Sequence, residues 1–140
     1  MRRMDIARTR FRIPLIRALA TVALLAGLGA AQAAPSAQAE REIEQLIQAL
    51  GSSACQFERN GSWHDAKAAQ AHLRKKLAYL RKRDLADTAE QFIERAASES
   101  SLSGQAYRVR CGGAPPVASA AWLKARLVQL RAKPATTPSP

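Results

Sequence analysis

This chain of 140 residues is short of most things that chemistry at a catalytic centre requires. Its two histidines, His64 and His72, lie eight positions apart and make no ligand pair with any carboxylate at standard spacing, so neither a metal nor another cofactor is expected. Its two cysteines do not form Cys-x-x-Cys, which argues against a dithiol redox role. There is no Gly-x-Ser-x-Gly elbow, no Ser-x-x-Lys and no glycine-rich phosphate loop, and the case for an enzyme is correspondingly weak. No uncharged apolar run reaches the ~20 residues of a membrane-spanning helix.

What the N-terminus does contain is the pattern of a cleavable export signal. Arg2, Arg3, Arg8, Arg10, Arg12 and Arg17 face one acid, Asp5, and an apolar run from Ala18 to Ala31 follows. It closes on Ala31-Gln32-Ala33, the small-x-small pattern of signal peptidase, which places cleavage between Ala33 and Ala34. Met4-Asp5 after Arg2-Arg3 departs from a twin-arginine signal, and no cysteine near the cut invites lipidation. The expected organisation is a signal peptide over 1–33, one domain over 34–133, and a disordered proline, serine and threonine tail over 134–140. The expected location is the periplasm or the medium, with no transmembrane segment left after cleavage.

Cleavage alters the charge argument. Six of the 22 Lys and Arg and one of the 11 Asp and Glu lie in residues 1–33, so the remainder carries +6 rather than +11. After export such a charge points to an anionic envelope partner, protein or polymer, and away from nucleic acid. Cys55 and Cys111 both survive into an oxidising space, where one bridge is the simplest outcome. Closing a loop of about 57 residues constrains the unfolded chain by roughly 4 kcal/mol in the chain-entropy model.

Periodicity predicts an α+β fold, mostly helical: about four helices packed on a short two-stranded ribbon with one disulfide. Ile43, Leu46, Ile47 and Leu50 make the stripe of a first helix from Ser36 to Leu50, stopped by Gly51. Ala54 to Glu58 alternates as a strand and is closed by the turn pair Asn60-Gly61. Ser62, with Asp65 three residues on, caps a second helix reaching about Arg83, with His64 in its solvated first turn. A third helix starts at Asp87 and buries Phe92 and Ile93. Tyr107 to Cys111 alternates as a strand with Arg108 and Arg110 on its outer face, and Ser119 caps a last helix.

Three stretches carry a resemblance: Phe57-Glu58-Arg59-Asn60-Gly61-Ser62-Trp63, His72-Leu73-Arg74-Lys75-Lys76, and Ser100 through Cys111. They resemble a bacterial family of exported proteins, domain of unknown function 5329, over about Ile43 to Leu130. The resemblance implies a bacterial, periplasmic protein and implies no activity.

The most informative candidate surface is one side of the second helix. Asp65, His72, Lys76, Tyr79 and Arg83 fall within about 60° of one another, beside the Leu73, Leu77 and Leu80 stripe. Of these, His72 and Lys76 could, with Arg59 and the outer face of Arg108 and Arg110, grip a carboxylate or phosphate. The structural alternative has Tyr79 and His72 finishing the core edge while Lys76 and Arg83 pair with Glu42 or Glu94. Ser100, Ser101 and Ser103 before Gly104 form a second candidate, either a ligand loop or a turn with a left-handed glycine. A hydrolase would need His72 within reach of one of these serines. Finally, Ser103-Gly104-Gln105-Ala106-Tyr107 resembles the short Ser-Gly-x-x-Tyr signature of certain periplasmic lysozyme inhibitors. That family is an all-β barrel, from which a four-helix chain departs.

Overall fold

A computed structural model describes residues 34–133. The expected signal segment, with its cleavage point after Ala33, and the expected tail over 134–140 lie outside the described residues.

Helix α1 (Ala37–Gly51) begins where the Ser36 hydroxyl accepts the Ala39 N–H at 3.1 Å, and its stripe of Ile43, Leu46, Ile47 and Leu50 is fully buried. Gly51 is not a stop but the last helical residue, followed by a right-handed cap at Ser52. Its lack of a side chain serves packing instead. A Cβ there would fall on the Gln70 amide, which reaches across to donate to the Ile47 carbonyl at 3.1 Å.

The principal correction concerns the sheet, which has four strands rather than two. After strand β1 (Cys55–Arg59), Asn60 and Gly61 sit at φ 50° and 80°. Two consecutive positive φ values make the tight turn whose twist matches a hairpin, so the chain returns as strand β2 (Ser62–Asp65), with Arg59 opposite Ser62 and Phe57 opposite His64. Ser62 is therefore a strand residue, and His64 lies on the sheet rather than in a helix. The cap of helix α2 (Ala66–Arg81) is Asp65, whose carboxylate accepts the Ala68 N–H at 2.7 Å. Leu73, Leu77 and Leu80 form the buried stripe as expected.

Helix α3 (Ala89–Ala97) is capped by Thr88, one residue later than the sequence suggests, and the Gln91 side chain accepts back from the Asp87 N–H. Strand β3 (Arg108–Cys111) pairs antiparallel with β1, and strand β4 (Val117–Ala118) with β3, giving the order β2-β1-β3-β4. Ser119 does not cap helix α4 (Ser119–Ala132). It is the first helical residue, and its buried N–H donates to the Tyr107 carbonyl at 2.9 Å.

The four helices pack around Phe92, Ile93 and Leu123, and the sheet closes one side through Phe57 and Val109, with Trp122 edge-on to Phe57 at 5.8 Å. Cys55 and Cys111 stand directly opposite in the register, 4.2 Å apart at Cα, and are bridged. Glu42 faces inward at 8% exposure, and Arg131 answers it with two hydrogen bonds of 2.9 and 2.8 Å while also reaching Glu90. One guanidinium thus ties α1, α3 and α4, and it depresses the Glu42 carboxyl below its ordinary range. The expected pairing of Glu42 with Lys76 or Arg83 does not occur.

Candidate functional site

Strand alternation divides the predicted basic residues between two surfaces. Cys55, Phe57 and Arg59 point to the helical side of β1, with His64 and Val109 as cross-strand partners of Phe57. Gln56 and Glu58 point the other way, where Arg110 donates to Gln56 at 2.8 Å and stacks 4.0 Å from the Trp63 ring. Arg108 Nε stands 3.4 Å from Glu58 Oε2, an ion pair without hydrogen-bond alignment. Arg108 and Arg110 therefore belong to the outer sheet face and do not join Arg59.

The helical seam is likewise divided. Asp65 is spent on the α2 cap. Tyr79 is 55% exposed and carries Arg83 over its ring at 3.7 Å, about two helical turns beyond His72. His72 and Lys76, one turn apart, are the members that reach β1 and the segment before β3. There they meet Arg59 and Tyr107, which come from residues 13 and 35 positions from His72.

The polarity of this cluster follows from its donors. Arg59 Nη1 is 2.7 Å from His72 Nδ1, and a guanidinium only donates, so Nδ1 accepts and the proton sits on Nε2. Nε2 then donates to the Tyr107 hydroxyl at 3.1 Å. Lys76 Nζ donates to the Glu99 carbonyl at 3.0 Å and approaches the same hydroxyl at 3.5 Å. With its oxygen accepting from two sides, the Tyr107 O–H is left to donate outward. Burial, together with the neighbouring Arg59 and Lys76 charges, holds His72 neutral, with its pKa pushed down from 6.5 to about 4. Burial also lowers Lys76 and raises Tyr107 from their ordinary values.

Two cavities meet at Arg59, His72 and Tyr107. The larger, about 300 Å³, is lined also by Asn60, Lys76, Ser100, Ser101 and Leu102. The smaller, about 80 Å³, runs under α2 against Leu50, Phe57, Ala68, Ala69 and Leu73, with Glu58, His64 and Ser119 at its wall. Among the described residues, neither Arg59 nor Lys76 has a carboxylate within ion-pair distance.

The serine loop holds its own shape. Ser100 is buried, and its hydroxyl accepts from the Leu102 and Ser103 N–H groups, while Gly104 takes φ 70° as the left-handed reading expects. Ser103 donates to Asn60 at 2.7 Å, fastening the loop to the β1–β2 turn. Ser101 lies exposed at the cavity edge. Among the described residues no hydrogen bond joins His72 to a serine, and both ring nitrogens are engaged elsewhere. Tyr107, 7% exposed, turns inward to His72 rather than projecting from the loop as a cleft-entering signature would require.

Sequence reasoning did not find Asn60 and Leu102 as cavity residues, nor the Glu99 carbonyl that anchors Lys76. The adjacency of Asn60-Gly61 to Arg59 was the available signal for the first. Among the described residues no group of three His, Cys, Asp or Glu is placed to hold a metal ion, and no described helix is long and apolar enough to cross a membrane.

A family model described as "Family of unknown function (DUF5329)" matches residues 37–131. Over 89 residues the chain is 44% identical to "Uncharacterized protein YfeK" of Salmonella typhimurium, an alignment covering 63% of this chain and 72% of that protein. No solved structure matches the chain.

Proposed function

We propose, for a chain that belongs to the DUF5329 family, a non-enzymatic binding role in which the Arg59–His72–Lys76–Tyr107 cavity seats an anionic group of an envelope partner, protein or polymer. The observation that carries this reading is the one-way supply of donors. Arg59, Lys76 and the Tyr107 hydroxyl converge on the cavity, His72 is neutral, and among the described residues no carboxylate stands within ion-pair distance of either cation, the Glu99 charge acting on Lys76 only from farther off. Two cations held together at a half-buried site repel one another, and an anion between them relieves that cost. An exported setting fits the Cys55–Cys111 bridge, which persists in oxidising compartments, and the signal pattern of residues 1–33.

The test is photo-crosslinking in living cells from two positions. A crosslinker at Ser101, on the cavity edge, should capture a partner that is lost when Arg59 and Lys76 are both changed to glutamate and that weakens at moderate salt. A crosslinker at Arg108, on the opposite sheet face, should not capture it. Equal capture from both faces, or capture indifferent to the charge reversal, would refute the assignment.

A further inference from the structure

We infer that the anion is the α-carboxylate of a peptide end whose last side chain is small and apolar. This rests on the anion-seating reading above and deepens it by naming the ligand class. The argument comes from the way the two cavities join. The wider one supplies charge-assisted donors from Arg59 and Lys76 and a hydroxyl donor from Tyr107, while the narrower one, sharing Arg59, His72 and Tyr107, is walled mainly by Phe57, Leu73 and the alanines of α2, with Glu58, His64 and Ser119 also lining it. A free phosphate would satisfy the donors and leave the apolar recess unfilled. An α-carbon carries its carboxylate and its side chain on adjacent bonds, so one residue can occupy both spaces at once.

Size narrows the class further. A dry cavity of roughly 150 Å³ holds benzene, and the recess here, at about 80 Å³, has room for an aliphatic group of a few carbons. An aromatic side chain or a lipid acyl chain is too large for it. The wider cavity, at about 300 Å³, exceeds what a carboxylate requires, and the residues at its edge, Ser101 and Leu102, are exposed, Leu102 at 97%. A chain can therefore leave through that edge, where the Asn60 amide and the Ser101 hydroxyl meet the polar groups of the preceding peptide unit. Both a protein C-terminus and a D-alanine-ended stem peptide present this chemistry.

Binding to the purified protein is measured by calorimetry and by the His72 ring resonances, using four probes: acetyl-Ala-Ala-Ala, its C-terminal amide, acetyl-Lys-D-Ala-D-Ala, and inorganic phosphate. At least one free-acid peptide should bind and shift the His72 ring, and amidation should weaken that peptide at least about tenfold, because a charge-assisted contact is lost. The L- or D-ended preference identifies the source. Ala68→Leu, at an exposed helix position that lines the recess, should weaken the peptide by about tenfold and leave phosphate unaffected. Equal binding of acid and amide, or an unaffected peptide in Ala68→Leu, would overturn the inference. Phosphate binding with no peptide binding would overturn it while leaving the anion site standing. If no probe disturbs His72, both readings fall.

Discussion

Replacing His72 with glutamine should flatten the loss of stability that the protein suffers on mild acidification. The folded chain holds His72 neutral down to about 4, whereas the unfolded chain takes up the proton at the ordinary 6.5. Between those values the unfolded state binds more protons, so stability falls as the pH drops from about 6.5 and the loss is complete near 4. The interval corresponds to at most about 3.4 kcal/mol. The ring is only half-buried, and solvent screening reduces the expected penalty to about 1.5–2 kcal/mol. Glutamine cannot be protonated there, yet its carbonyl can still accept from Arg59. Glu42, Glu44 and Glu90, all held below 4.5 mainly by hydrogen bonds to arginine, add an acid loss of their own at lower pH. That loss is common to both proteins and cancels in the difference. Urea unfolding of wild type and His72→Gln at steps from pH 7.5 to 4 measures the difference directly, with the His72 ring titration followed by NMR. Parallel stability curves, or a His72 that titrates at or above 6.5, would refute the donor arrangement from which the site is built.

The Cys55–Cys111 bridge closes a separation of 56 residues, so changing both cysteines to serine should cost about 2–4 kcal/mol, read from urea midpoints; an unchanged midpoint would show that it adds nothing. Arg131→Met strands the inward-facing Glu42 carboxylate and should cost about 1–2 kcal/mol at pH 7, a penalty that shrinks when Glu42 is also changed to glutamine. At Gly51 two effects oppose. Alanine gains about 0.5–1 kcal/mol of helix propensity but displaces Gln70 from the Ile47 carbonyl, a hydrogen bond of about the same size. Gly51→Ala should therefore be nearly neutral alone and stabilising in a Gln70→Ala background.

The helices were legible because their apolar stripes are local: Ile43 to Leu50, Leu73 to Leu80 and Phe92-Ile93 are buried where the 3.6-residue period places them. The hairpin was missed because Ser62 and Asp65 have capping-box spacing, and that local preference lost to the Asn60-Gly61 turn, which returns the chain as a strand. Strand β4 is two residues long and has no local signal; it exists through its pairing to Arg108 and Val109. At the site, helical spacing brought out His72 and Lys76, and strand alternation applied from Phe57 would have separated Arg59 from Arg108 and Arg110. The meeting of Arg59, His72 and Tyr107 is a product of tertiary packing, and so are the cavities beside them.

Of the three pairings in the sheet, β1 to β2 closes through two residues and β3 to β4 through five, while β1 to β3 must wait for α2 and α3 to fall between them. The disulfide lies at the end of that distant pairing. In an oxidised but unfolded chain the two strands are already neighbours, so the slow search for a long-range contact is over before folding begins. Oxidised and reduced chains should consequently differ in speed as well as in depth, the oxidised form refolding roughly ten- to a thousandfold faster as more of the ~4 kcal/mol closure cost is removed from the barrier. The order of events then matters: a bridge made early turns a sheet with one remote strand pair into what is kinetically a simple meander.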